Sequence, residues 1–451
     1  MEQHKGSARD QFVSKLGFIF AAAGSAVGLG NIWRFPYLAG RHGGGAFVLF
    51  YLICIIVIGF GLMLAEFAVG RHTQLSSVDA FKKLDRRFTF VGAMGVLAAF
   101  VIMGYYPVVG GWSVAYIFKT IMGQLSTDAA VMEQTFGSLV GGIASPIFWT
   151  VVYLLANVVI VIKGISDGIE KASKVMMPLL FILLIILVVR SLTLPGAMEG
   201  LKYLFVPDFS KLTGDVLLAA LGQAFFSLSL GMGCMITYAS YLSKKENLVQ
   251  SAIIVPTMDT CVALLAGVVI IPATVAFGFD LGQGPGLVFV TVPAILATMG
   301  PVLGRIFGLT FFLLLSVAAL TSSLSLMEVV VSYLIDNRGW DRQKAVLGSS
   351  TAMFIICIAA SLSMGIWSGF TIGGMNIFDL LDWFANNVLL PLGGIFITLY
   401  VGWFWGVDKV RDEITNNGEV RFALFNVWIF LCRFVIPLII AIVLLSGIGI
   451  I

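Results

Sequence analysis

The chain has 451 residues, 59% of them hydrophobic and 11% charged, with a formal net charge of +3, whereas a soluble domain is roughly a quarter charged. That composition excludes a water-soluble globular protein and points to an all-α integral membrane protein. Continuous apolar runs such as ILLIILVV at 182–189 exclude the alternating pattern of an outer-membrane barrel.

A helix crosses the bilayer with about 20 apolar residues. Windows of that kind fall at 12–39, 44–70, 90–121, 145–163, 168–190, 214–243, 249–278, 302–335, 345–367, 377–405 and 422–449, which predicts eleven spans. With the N-terminus cytoplasmic, 19 of the 27 Lys and Arg residues lie in inside segments, seven outside and one, Arg433, within the last span. The positive-inside rule therefore sets the N-terminus inside a plasma (cell inner) membrane and the C-terminus outside. The net charge reflects this loop bias, so no nucleic-acid partner is expected. A signal peptide ending near AAAGSA at 21–26 is the alternative at the N-terminus; the apolar character resuming beyond Arg34 argues against it.

The first span contains SAVGLGNIWRFP (25–36), with two glycines, an asparagine, an arginine and a proline inside an apolar run. The sixth contains FSLSLGMGC (226–234), again with a G-x-G step. The sixth lies five steps after the first, an odd number, so the two run in opposite directions. Glycine-interrupted spans of opposite orientation are the mark of an inverted repeat with its site at the breaks; close helix packing is the bland alternative. Unwound backbone survives in a membrane only beside protein or a water-filled cavity. Its free carbonyls suit a hard cation such as Na⁺, and its free helix N-terminus suits a carboxylate.

Polar side chains gather near these breaks. Asn31 lies beside the first, Ser227 and Ser229 flank the second, and the eighth span carries Thr321, Ser322, Ser323 and Ser325. Glu66 and Asp259 read as the most deeply placed carboxylates. No Lys or Arg shares the span of Asp259, which assigns it to a cation site. Glu66 reads either as a prop hydrogen-bonded to the broken first helix or as a proton carrier. Cys54, Cys234, Cys261, Cys357 and Cys432 all fall in spans and read as packing residues. His4, His42 and His72 are too scattered for a metal site.

SAVGLGNIWRFPYLAGRHGGGAF (25–47), GQAFFSLSLGMG with ITYASYL (222–242) and LTSS (320–323) resemble the neurotransmitter:sodium symporters, in particular the bacterial amino-acid transporters with the LeuT fold. The resemblance covers nearly the whole chain and implies one transporter domain over 1–451. Its inverted 5+5 repeats would occupy about 12–190 and 214–405, with discontinuous helices 1 and 6 and an extra span at about 422–449. It implies two Na⁺ as coupling ions and no other cofactor. Sodium site 1 would comprise the Ala26 carbonyl with Asn31, Ser227 and Asp259. Site 2 would comprise the carbonyls of Gly24, Val27 and Ala318 and the hydroxyls of Thr321 and Ser322. Leu29, Gly30 and Tyr106 would hold a substrate carboxylate; Ala26, Phe226, Ser227 and Ser229 would hold its amine. Ile102, Tyr106, Phe226, Met232, Ser325 and Leu326 would line the side-chain pocket. Arg34 and Asp382 match an outer ion pair with Gln223 beside it, and Arg9 and Asp336 an inner pair near Phe12 and Tyr241.

Three departures from the family pattern sharpen the expected function. Gly28 stands where amine transporters carry an Asp, so the substrate must bring its own anion, as an α-amino acid does. Asp259 supplies negative charge where many members have Asn, and Ala263 lacks the hydroxyl of chloride-dependent members, which implies chloride independence. Met232 replaces a bulky aromatic, so large hydrophobic or aromatic amino acids are expected. Gly168 and Pro178 match a motif that lets the fifth span unwind for release. The expected activity is symport of hydrophobic or aromatic L-amino acids with Na⁺ by alternating access. A proton-coupled transporter on the same fold is the alternative; a channel or intramembrane enzyme is the reading from another class. No phosphate-binding loop is present, and the sequence sets no oligomeric state.

Overall fold

The computed structural model describes residues 10–278 and 286–450. Among them nine helices are long and apolar enough to cross a membrane, or ten when the bent pair Lys15–Ala26 and Gly30–Arg41 counts as one span. The remaining expected span, the sixth, is split between Gly214–Ser227 and the short helix Cys234–Ala239. The molecule is all-α, with only two isolated β-bridges among the described residues.

Both interruptions have local causes. At the first, Val27 leaves the helix with ψ 108°, and the chain resumes at a 51° bend. The side chain of Asn31 takes over the role of the missing helix turn, since its Oδ1 accepts from Gly28 N at 2.9 Å. At the second, Ser229, Gly231 and Gly233 all have positive φ, at 53°, 78° and 77°. Glycine adopts this region without strain, whereas Ser229 is held there at a cost. Gly231 also brings backbone against backbone, because a Cβ there would overlap the Leu390 carbonyl.

Glu66 in the second span (Gly45–Thr73) is fully buried and accepts from Gly231 N at 2.7 Å. As a prop it therefore serves the sixth helix and not the first, while its Oε2 has no hydrogen-bond partner among the described residues. A third carboxylate, Glu328 in the eighth span (Pro301–Arg338), is equally buried and pairs with Arg342. The inner half of the first span packs on the fifth (Ile165–Leu192), seventh (Leu248–Ala276) and eighth helices. These three hold the breaks near the middle of the molecule.

One further expectation needs correction. Cys54, Cys234, Cys357 and Cys432 are buried, but Cys261 is exposed, and all five are free thiols. The fifth helix is continuous through Gly168 and Pro178, its first turns (Ile165–Glu170) being wound as a π-helix. The connections after the third, fifth and seventh spans contain the helices Ala129–Val140, Ala197–Phe205 and Leu287–Ala297; the segment LGQGPG at 281–286, whose sequence reads as a turn, lies almost wholly outside the described residues.

Candidate functional site

Where the first span breaks, its last carbonyls lose their helical partners, and the eighth span supplies hydroxyls in their place. Ser322 Oγ lies 2.9 Å from Ser25 O, 3.0 Å from Val27 O and 3.4 Å from Gly24 O. Thr321 Oγ1 lies 2.9 Å from Ala318 O and 3.3 Å from Val27 O. All five oxygens expected for the second sodium site thus meet in one place. Two hydroxyl protons cannot serve four carbonyls at once, so the cluster is short of positive charge and its oxygen-only donor set fits a hard cation.

A second cluster forms around Asp259, which is fully buried. Asn31 Nδ2 donates to its Oδ1 at 2.7 Å, and Ser227 Oγ approaches both carboxylate oxygens at 2.9 and 3.1 Å. Tyr51, which the sequence gave no reason to select, donates its hydroxyl to Oδ2 at 3.4 Å. No Lys or Arg among the described residues pairs with this carboxylate. A buried anion without a cationic partner is costly, and a bound cation would meet that need. Ala26 lines the adjoining cavity.

That cavity lies between the two breaks and is bounded by Ala26, Gly28, Leu29, Gly30, Ile102, Tyr106, Phe226, Ser227, Ser229, Met232 and Leu326, with Ser25 and Ser322. Every expected substrate residue is therefore on its wall except Ser325, whose Oγ accepts from Ser25 at 2.7 Å one step behind it. Tyr106 Oη accepts from Leu29 N at 3.3 Å, and Ser229 Oγ donates to Ser25 O at 2.8 Å. A Cβ on Gly28 would lie 2.9 Å from Tyr106 Oη and closer still to Ser322 Oγ. The glycine is thus sterically required here, as well as uncharged.

Above the cavity opens a vestibule of about 950 Å³ containing Trp33, Arg34, Tyr37, Asp379, Asp382 and Asn386. Leu29, Gly30, Tyr106 and Phe226 border both spaces. Phe226 is the partition: the Arg34 guanidinium sits 4.8 Å above its ring, and Gly30 leaves room for it below. Arg34 and Asp382 share the vestibule, but no ion pair within 4.0 Å joins them. Asp382 instead accepts from Asn386 Nδ2 at 2.8 Å. Gln223 Nε2 donates to Gly30 O at 2.9 Å, tying the two broken spans together.

On the opposite side, Phe12 N donates to Tyr241 O at 3.2 Å, and the Phe12 ring meets Tyr238 and Tyr241 edge-on. Tyr241 Oη donates to Glu328, which Arg342 also holds. Asp336 accepts from Ser76 N at 2.6 Å; Arg9 lies outside the described residues. The sequence missed the Glu328–Arg342 pair because its two members sit on different spans.

A sequence model described as the Sodium:neurotransmitter symporter family matches residues 9–136 and 132–450. The chain belongs to this family. Among curated relatives, this symporter is 41% identical to an uncharacterised sodium-dependent transporter, YhdH, of Bacillus subtilis, over 98% of both chains. It is 39% identical to an uncharacterised sodium-dependent transporter of Haemophilus influenzae, over 97% of this chain and 98% of the other. Among solved structures, that of MhsT in complex with L-phenylalanine superposes with a TM-score of 0.90 at 44% identity, covering 98% of this chain and 100% of that one. The fold is therefore LeuT-like, and the protein is a sodium-dependent multi-pass membrane transporter, not an enzyme.

Proposed function

We propose that this symporter carries hydrophobic and aromatic L-amino acids together with Na⁺, by alternating access and without chloride. The observation that carries the reading is the cavity at the two breaks: freed backbone groups and hydroxyls at one end, Ile102, Phe226, Met232 and Leu326 at the other. Gly28 has no room for a carboxylate, so a substrate carboxylate must complete the shell of the first sodium ion beside Asp259. The L-phenylalanine in the solved relative agrees with this substrate class.

In this reading Ala26, Asn31, Ser227 and Asp259 hold the first Na⁺, and Gly24, Val27, Ala318, Thr321 and Ser322 the second. Leu29, Gly30 and Tyr106 orient the carboxylate; Phe226 and Ser229 help to hold the amine. Arg34 and Asp382 close the vestibule after binding, and Asp336 with Arg9 closes the inner side. The protein lies in the plasma membrane as one domain of eleven spans, counting the sixth across its break, with the N-terminus cytoplasmic. Reconstitution into sodium-free vesicles tests this. An inward Na⁺ gradient is expected to drive concentrative uptake, with Phe, Tyr, Trp and Leu as the strongest competitors among the twenty amino acids.

The unpartnered Oε2 of Glu66 favours one rival, proton-coupled transport on the same fold. Uptake that follows a pH gradient and ignores Na⁺ would select it.

A further inference from the structure

Arg433 is the one basic residue that the loop pattern leaves inside a span, and the sodium and substrate clusters make no use of it. It belongs to the helix Phe425–Gly447, which packs on Ile377–Phe404. Its Nε donates to Gly402 O at 2.6 Å, and the guanidinium lies 5.3 Å from the Trp403 ring centre. Trp403 returns the contact, its indole N–H donating to Arg433 O at 3.2 Å. Gly402 is needed for this fit, since a Cβ there would come within 2.9 Å of Arg433 Cγ.

One hydrogen bond and a ring thus hold the guanidinium, yet Nη1 and Nη2 donate to no acceptor among the described residues, and no carboxylate pairs with them. The neighbouring guanidinium, Arg87 over Phe404, is neutralised by Asp85 at 2.7 Å. Around Arg433 the rings of Trp403, Phe404, Phe430 and Phe434 are each about half exposed on the outer surface of the bundle. Gly402 and Trp403 stand in the last turn of the tenth helix, which sets the group at a membrane–water boundary where aromatic belts lie. A charged group in a span whose donors lack protein partners needs an acceptor from the membrane. The forked guanidinium matches two phosphate oxygens.

We propose that Arg433, positioned by Gly402 and Trp403, binds the phosphate of an anionic phospholipid, with the surrounding rings packed on its glycerol and acyl chains. Titration of the purified full chain with phosphatidylglycerol, read by native mass spectrometry, tests this. Arg433→Gln is expected to weaken binding of the tightest lipid about fivefold, the effect of one basic residue at an anionic surface. Arg433→Lys, which keeps the charge and loses the fork, should keep only part of it, and Gly402→Ala should weaken it with the charge intact. Sodium-driven uptake serves as the check that each variant is folded. Equal affinity in the wild type and Arg433→Gln would overturn the proposal. So would a lipid-independent dimer lost in Arg433→Gln, which would make a second copy the occupant.

Discussion

At Asp259 a single carboxylate faces Asn31, Ser227 and Tyr51 with no basic side chain among the described residues to balance it. Asp259→Asn removes the charge and keeps the shape; its uptake is expected to fall and to become chloride-stimulated, measured with chloride against gluconate. Activity retained with no response to chloride would remove the charge argument. Gly28→Ala tests the tight contact with Ser322 and Tyr106. Overpacking of this kind costs about 1–3 kcal/mol, so the apparent substrate affinity should drop by roughly five- to a hundredfold. Outside the membrane, Glu413 gives a pH prediction. Burial alone would raise its pKa, but hydrogen bonding from His72, the charge of Arg71 and the charge of Lys244 together hold it down, to about 2. Because the folded value lies below the unfolded one, this stabilisation is complete above about pH 4.5 and is lost as pH falls towards 2. Glu413→Gln should therefore lower the melting temperature at pH 7, and the gap from wild type should close below about pH 3. Asn31, Gly28 and Asp259 were legible in the sequence because each interrupts an apolar run. Tyr51 and Ser25 were not, since a tyrosine or serine in a span gives no sign of where its hydroxyl points.

The fifth helix shows how an element can be poised to change. Gly168 lets the backbone of the fourth span approach, a Cβ there overlapping Ile160 O, and Pro178 has no N–H to return to the preceding turn. The helix is also tied to the chain start: Asp10 accepts from Ile165 N at 2.6 Å, while Glu170 accepts from Val13 N at 2.7 Å and Ser14 Oγ at 2.9 Å. Each segment caps the other. Pro178→Ala restores a hydrogen bond worth about 1 kcal/mol and should slow inward opening and sodium release about fivefold. Glu170→Ala removes the caps and should act in the opposite direction; both are measurable as cytoplasmic accessibility of an introduced cysteine. The motif itself was readable, whereas the mutual capping was not, because its partners lie more than 150 residues apart. The same limit explains why the contact of Glu66 with the sixth helix was not readable.

For the whole molecule, the proposed cycle with two Na⁺ and a zwitterion would carry two net charges inward. Each charge gains about 2.3 kcal/mol per 100 mV, so a potential of −100 mV should raise accumulation on the order of a thousandfold over the value at zero potential. A tenfold-per-60 mV slope in vesicles would instead indicate a single net charge. The oxygens of Gly24, Ser25 and Val27 belong to the first span, and those of Ala318, Thr321 and Ser322 to the eighth. An ion held there is clamped between two rods, so its radius becomes the distance between them. A potassium ion would wedge the rods apart and a lithium ion would leave them slack. Selectivity and the signal to change shape are then one mechanical quantity, the width of a gap that sodium fills.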